Sequence, residues 1–139
     1  MRNSQEKNNK KGFTLAELLV VVAIIGVLVA ISIPVFRSQI HKAEVATDWA
    51  NVRSYYSQLQ YDFMETGTVN KNYLHEPKGT MVDGLRSFKL TGQTVKLKAG
   101  SIWVRQEDDN GAAGYNIWYV CNNYLDGSHD KCQLMLPED

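Results

Sequence analysis

The sequence predicts an α+β chain: one long amino-terminal α-helix, hydrophobic in its first half and amphipathic in its second, packed against a small antiparallel β-sheet head of four to five strands. Three observations predict it. From Leu18 to Phe36 no residue is charged. After Pro34 a helical period continues without a breaker until Gly67. Beyond Gly67 the pattern changes to short alternating runs separated by turn residues. A length of 139 residues allows one modest domain and excludes a large multidomain enzyme.

Charge is segregated along the chain. The 15 Lys and Arg balance the 15 Asp and Glu. The first 12 residues, however, hold Arg2, Lys7, Lys10 and Lys11 against Glu6 alone, so this segment carries +3 and the rest carries −3. The later charges are unclustered, which argues against a dedicated nucleic-acid binder.

As a helix, Leu18–Phe36 would extend roughly 28 Å, close to the hydrocarbon thickness of a bilayer. The basic residues before it predict a cytoplasmic amino terminus and an exported carboxy-terminal bulk. A secretory signal peptide would have a shorter apolar run and a small-residue cleavage site, yet here Ala30-Ile31-Ser32-Ile33-Pro34 leads directly into more helical pattern. A lipoprotein would need a cysteine at the end of the run, and the first is Cys121. A plain signal anchor leaves Glu17 unexplained. An acidic residue at the centre of a membrane helix costs about 2.5–3.5 kcal/mol on insertion scales, somewhat less near an end, so it needs a partner. No Lys or Arg lies in the run. Cleavage between Gly12 and Phe13 would create one, an α-amine four residues from Glu17.

Lys10-Lys11-Gly12-Phe13-Thr14-Leu15-Ala16-Glu17, followed by an unbroken apolar stretch with Pro34 near its end, resembles the class III signal of type IV pilins and pseudopilins. The resemblance covers about 25 to 40 residues. It implies that prepilin peptidase cuts after Gly12 and N-methylates Phe13, and that Glu17 neutralises the amino terminus of an adjacent subunit during assembly. It also implies that Gly26 and Pro34 bound a helix section that loosens in some assembled filaments. Ala16 stands where the family more often has Ile or Leu. The residues themselves add that Ala23, Gly26 and Ala30 share a face on which helix backbones can approach closely in lipid. Pro34 lacks an amide hydrogen and crowds the Ala30 carbonyl, so a kink or weakened turn is expected, or simply the membrane exit.

The expected organisation is a cleaved basic leader (1–12), a hydrophobic transmembrane and assembly helix (13–36), an amphipathic helix (37–66) and a head of loop and antiparallel sheet (67–139). In the amphipathic half, Val45, Trp49, Val52, Tyr56, Leu59 and Phe63 form a bulky apolar stripe expected to dock the head. Ala43, Thr47 and Ala50 form a small-residue stripe suited to neighbouring helices, or to a solvated face. Thr66–Asp83 reads as a connecting loop with a short turn. Strands are expected around Phe88–Leu90, Val95–Lys98, Ile102–Arg105, Tyr115–Cys121 and Cys132–Leu136, with turns at Thr91-Gly92-Gln93, Ala99-Gly100 and Asp108–Gly114. Such a head has a marginal core alone, so it needs the helix.

Cys121 and Cys132, the only cysteines, both fall on the exported side. Such a pair is most simply a disulfide, the alternative being two free thiols. The family resemblance agrees, since many pilins carry a carboxy-terminal disulfide bounding a surface loop. No catalytic constellation emerges, and no cofactor is expected. His41, His75 and His129 have no ligand spacing and read as surface histidines, so no metal site is assigned. The acidic turns Glu107–Gly111 and Asp126–Asp130 lack a spaced calcium signature and are explained by turn propensity. Alternation places Lys89, Lys96, Lys98, Trp103 and Arg105 on the sheet face away from the helix, where they could contact DNA phosphate and stack a base, or could simply be solvated.

The resemblance implies a non-enzymatic structural subunit of a type IV pilus, held in the cytoplasmic membrane and then polymerised into an extracellular filament. The implied partners are identical or related pilin subunits, prepilin peptidase, an assembly ATPase, a platform membrane protein and, before assembly, the lipid bilayer. A pseudopilin of a secretion or competence machine, or a minor tip adhesin whose head binds DNA or another surface ligand, are the alternatives.

Overall fold

The computed structural model describes residues 12–78, 83–107, 114–122 and 132–138. The chain divides into two units, Met1–Gln39 and Ile40–Asp139. A single α-helix, α1 (Leu15–Thr66), contains both the apolar run and the amphipathic run. It is stopped by Gly67, whose φ of 67° is the left-handed conformation that glycine adopts without a Cβ penalty. The Gly67 N–H donates to the Phe63 carbonyl at 2.8 Å, closing the last turn. Pro34 lies inside α1, and the helix is assigned without interruption through it.

In the first unit the helix leaves every apolar side chain from Leu18 to Phe36 uncovered; only Ser32 is half-buried. The second unit does the opposite. Val45, Asp48, Val52, Tyr55 and Leu59 are its buried helix positions, spaced 3, 4, 3 and 4, while Trp49, Tyr56 and Phe63 flank them half-buried. The docking stripe is therefore centred on the Asp48 and Tyr55 side of the one expected from large apolar residues alone. Ala43, Thr47 and Ala50 are exposed on the opposite side.

Five antiparallel strands form two small sheets rather than one. Strands β1 (Ser87–Leu90) and β2 (Gln93–Lys96) make a hairpin. Its two-residue turn, Thr91-Gly92, has φ of 49° and 85°, the doubly positive pattern that matches strand twist. Strands β3 (Gly100–Glu107), β4 (Gly114–Cys121) and β5 (Gln133–Leu136) make the second sheet in sequence order. After Thr66 a 3-10 turn, Lys71–Tyr73, leads to His75 and Leu85, which bridge to Val104 and Ile102 and so cover the free edge of β3. The expected strand at Val95–Lys98 is displaced to Gln93–Lys96, and the expected turn Ala99-Gly100 is in part the start of β3.

The expected inward residues do enter the core. Phe88, Leu97, Ile102 and Val104 are buried, and Leu90 and Val95 pack against them. With Tyr115, Ile117, Tyr119, Leu134 and Leu136 they meet Val45, Val52, Tyr55 and Leu59 of α1. Tyr55 stacks on Phe88 with ring centroids 4.3 Å apart.

The break between the sheets has a specific cause. Asp48 is 0% exposed, and its carboxylate accepts hydrogen bonds from the Lys98 amide (2.8 and 3.1 Å), the Ala99 amide (2.8 Å) and the Tyr119 hydroxyl (3.0 Å). The chain between β2 and β3 thus bonds to the helix instead of continuing a ladder. Gly100 makes room for this arrangement, because a Cβ there would lie 2.5 Å from the Tyr119 ring and from the Val120 carbonyl oxygen. Burial, and then the adjacent Asp48 carboxylate, pushes the Tyr119 hydroxyl well above its ordinary pKa.

Asp48→Leu strands two amides and a hydroxyl, and should destabilise the head by at least about 3 kcal/mol. Tyr119→Phe removes one bond to a carboxylate and should cost about 1.5–3 kcal/mol. Urea unfolding of the full chain in detergent, followed by near-ultraviolet circular dichroism, measures both. Burial also raises Tyr55 to about 12, so the folded head holds Tyr55 and Tyr119 protonated more tightly than the unfolded chain does. That stabilisation is complete below the unfolded tyrosine value of about 10 and is lost as pH rises through the folded values. The melting temperature is therefore expected to fall steadily above about pH 10, as a thermal scan at increasing pH would show.

Candidate functional site

The amino-terminal end is organised by Thr14 and Glu17. The Thr14 amide donates to Glu17 Oε2 at 2.8 Å, and the Glu17 amide donates to Thr14 Oγ1 at 3.3 Å. This is a reciprocal capping box, satisfying two amides at the start of α1. Glu17 is therefore not without a partner in the uncleaved chain. Its signal was present in the Thr-x-x-Glu spacing, which a reading focused on membrane cost passes over. Gly12 and Phe13 precede the helix, and Phe13 is 87% exposed, so the bond between them lies in accessible, non-helical chain.

Beyond this cap, α1 is long and apolar enough to cross a membrane, and none of its most apolar window is buried within the chain. A Cβ added at Gly26 would meet nothing within 4 Å, so no contact within the chain requires glycine there. Gly26 and Pro34 both sit inside uninterrupted helix.

In the head, Cys121 and Cys132 form a disulfide with Cα atoms 5.6 Å apart. His41 is half-buried beside it, with Nε2 3.6 Å from Cys132 Sγ. Among the described residues, His41, Cys121 and Cys132 are the group with metal-ligand atoms close together. Both sulfurs are committed to the disulfide, which leaves the group without thiolate ligands. His41 and His75, expected at the surface, are both partly exposed, and His75 Nε2 lies 2.6 Å from the Asp83 carbonyl oxygen. Its backbone is held against Val104. His129, the leader residues 1–11 and, apart from Glu107, the two acidic turns lie outside the described residues.

The suggested DNA-contact residues are divided between the two sheets. Lys89 lies in β1 and Lys96 in β2, Lys98 follows β2, and Arg105 lies in β3; all four are exposed. Trp103 is only 1% exposed. Its outward direction was expected, but the outer face is covered there, since a Cβ on Gly84 would come within 3.0 Å of the Trp103 ring. It offers no free face on which a base could stack.

The family model described as the prokaryotic N-terminal methylation motif matches residues 7–33. Over longer spans the chain is 29% identical to the type IV major fimbrial protein FimA of Dichelobacter nodosus, covering 90% of this chain and 87% of that protein. It is 32% identical to the fimbrial protein of Moraxella nonliquefaciens, covering 83% of this chain and 68% of that one. The chain belongs to the type IV pilin family. No solved structure matches this pilin. Over 40 residues the identity reaches 52% against another FimA of D. nodosus, and the methylation motif itself spans the capping box and most of the uncovered helix. Pilins are structural rather than enzymatic, and the geometry of this pilin agrees with membrane anchoring by an apolar helix that carries a disulfide-bonded head.

Removing the disulfide by replacing Cys121 and Cys132 with serine should destabilise the head by about 3 kcal/mol, the loop-closure value for a ring of this size. Denaturation of the parent pilin with and without a thiol reductant checks the same quantity independently.

Proposed function

We propose that this pilin is the structural subunit of a type IV pilus and polymerises through its hydrophobic helix, residues 13–36, after its leader is removed. The observation that carries this reading is the uncovered apolar surface from Leu18 to Phe36. Such a surface is stable in lipid before assembly and against other helices after it. Gly26 supports helix-to-helix contact, because its missing side chain serves no contact within the chain. The basic leader supports a cytoplasmic amino terminus, and the disulfide supports an exported, oxidising location for the head.

In this reading prepilin peptidase cuts the exposed Gly12–Phe13 bond and methylates the new amine. Cleavage leaves Thr14, whose amide Glu17 caps, one residue from that amine. The carboxylate is thus held at the end of the helix where a neighbouring subunit's charged terminus would have to be neutralised. An assembly ATPase and a platform protein would move subunits from the membrane pool into the filament. Similarity that extends across most of the fimbrial relatives, head included, favours a pilus over a secretion or competence pseudopilus.

Mass spectrometry of filaments sheared from the cell surface is expected to find this chain as the main component, beginning at N-methyl-Phe13. A terminus at Met1 in assembled material would refute cleavage as the assembly step. Glu17→Val is expected to leave processed subunit in the membrane while filament yield falls at least tenfold.

A further inference from the structure

The outer face of the β3–β4–β5 sheet carries a hollow on which the assembly reading above does not draw. It has a volume of about 240 Å³ and is lined by Trp103, Arg105, Gln106, Glu107, Asn116, Trp118 and Met135. The register explains this grouping. Trp103 pairs with Trp118, which pairs with Met135, so one apolar row crosses the three strands. Arg105 pairs with Asn116 one step along the same face, forming a polar row beside it. The two indoles are tilted, with centroids 5.8 Å apart.

Two features of the lining point to a ligand. The indole N–H groups of Trp103 and Trp118 are both buried and have no hydrogen-bond partner among the described residues, whereas buried donors are almost always satisfied. Trp103 is 99% buried by its 1% exposure, so bulk water does not serve it. The second feature is balance: Arg105 and Glu107 carry opposite charges, while Asn116 and Gln106 supply both donors and acceptors. A lining that is apolar on one row, rich in paired donors and acceptors on the next, and balanced in charge among the described residues suits a polyol with one apolar face. The volume lies below the roughly 300–1,000 Å³ typical of sites for drug-sized molecules, which suits a single ring.

We propose that this hollow binds one neutral sugar ring of a glycan, with its C–H face on Trp118 and Met135, its hydroxyls shared among Glu107, Asn116 and Arg105, and its oxygens accepting from the indole N–H groups after side-chain movement uncovers them, since both are enclosed. This goes beyond the assembly reading and does not rest on it, because binding by the head requires no filament. It also differs from a nucleic-acid surface: among the described residues the charges that line it, Arg105 and Glu107, cancel, and Lys89, Lys96 and Lys98 are not part of its lining.

The three tryptophans, Trp49, Trp103 and Trp118, allow a direct test in the full chain held in a detergent without sugar headgroups. Galactose and N-acetylglucosamine are titrated while the three indole N–H resonances are followed by nuclear magnetic resonance. Saturable movement of the Trp103 and Trp118 signals, with Trp49 unmoved and Kd of order 1 mM, is expected for at least one of the two sugars. Asn116→Ala and Glu107→Gln should each weaken binding about tenfold with unchanged near-ultraviolet circular dichroism, and Lys89→Gln should leave it unchanged. Absence of saturation with both sugars overturns the proposal. So does equal movement of Trp49, or a response confined to glucuronate or to an oligothymidylate, which would mark an anion site instead.

Discussion

The buried carboxylate of Asp48 is the interaction on which the head depends. A charge taken out of water is costly unless its oxygens are fully used, and here they accept from two consecutive backbone amides and a tyrosine hydroxyl. The three donors come from places distant in sequence: the link between the sheets supplies Lys98 and Ala99, and β4 supplies Tyr119. One side chain on the helix thereby sets where β2 ends, where β3 begins and how deeply β4 lies against α1. Gly100 is the steric condition for it, since any side chain there would collide with the ring that delivers the hydroxyl. Gln58 repeats the principle at smaller scale by accepting from the Thr91 amide at the hairpin tip, and Gln60 does so by donating to the Tyr115 carbonyl. The amphipathic half of the helix is thus a template of hydrogen-bonding groups as well as an apolar wall.

The two units handle apolar surface in opposite ways. Among the described residues, Ile40–Asp139 buries most of its large apolar side chains internally, as a small head with limited volume must. The described part of the first unit, residues 12–39, leaves them all outside, where at roughly 25 cal/mol per Å² the exposed area is untenable in water. A membrane, and then other helices, are environments in which that surface is at low free energy. The type IV pilin family fits this division of labour, because a filament needs a shared apolar element for assembly and a separate folded surface for contact with the outside.

Much of the fold was legible in the chain itself. The long helix, its stop at Gly67, the Thr91-Gly92 hairpin turn and the inward set Phe88, Ile102 and Val104 all follow from local rules of period and turn chemistry. The failures share one cause, which is that local rules classify a residue by its own polarity. Its charge alone would place Asp48 in solvent, although it stands three residues after Val45 and four before Val52 in the buried stripe. Alternation points Trp103 outward and carries no information about the Gly84 segment that lies over it. Only the fold brings His41 beside Cys132 from the far end of the chain. Thr14 and Glu17 are different, since their capping box was readable from spacing alone.

By itself the sequence determined the class of molecule: a basic leader, a glycine before phenylalanine, a glutamate at the helix start and an uncharged run long enough to span lipid. These are consecutive in the chain, and each acts through its immediate neighbours or through solvent, so linear order suffices to read them. The tertiary structure alone decided the separation into two sheets, the buried use of Asp48, the covering of Trp103 and the outer hollow beside Trp118. Each of those depends on groups from different strands and the helix meeting within hydrogen-bond or van der Waals distance, a coincidence that periodicity along one strand cannot encode.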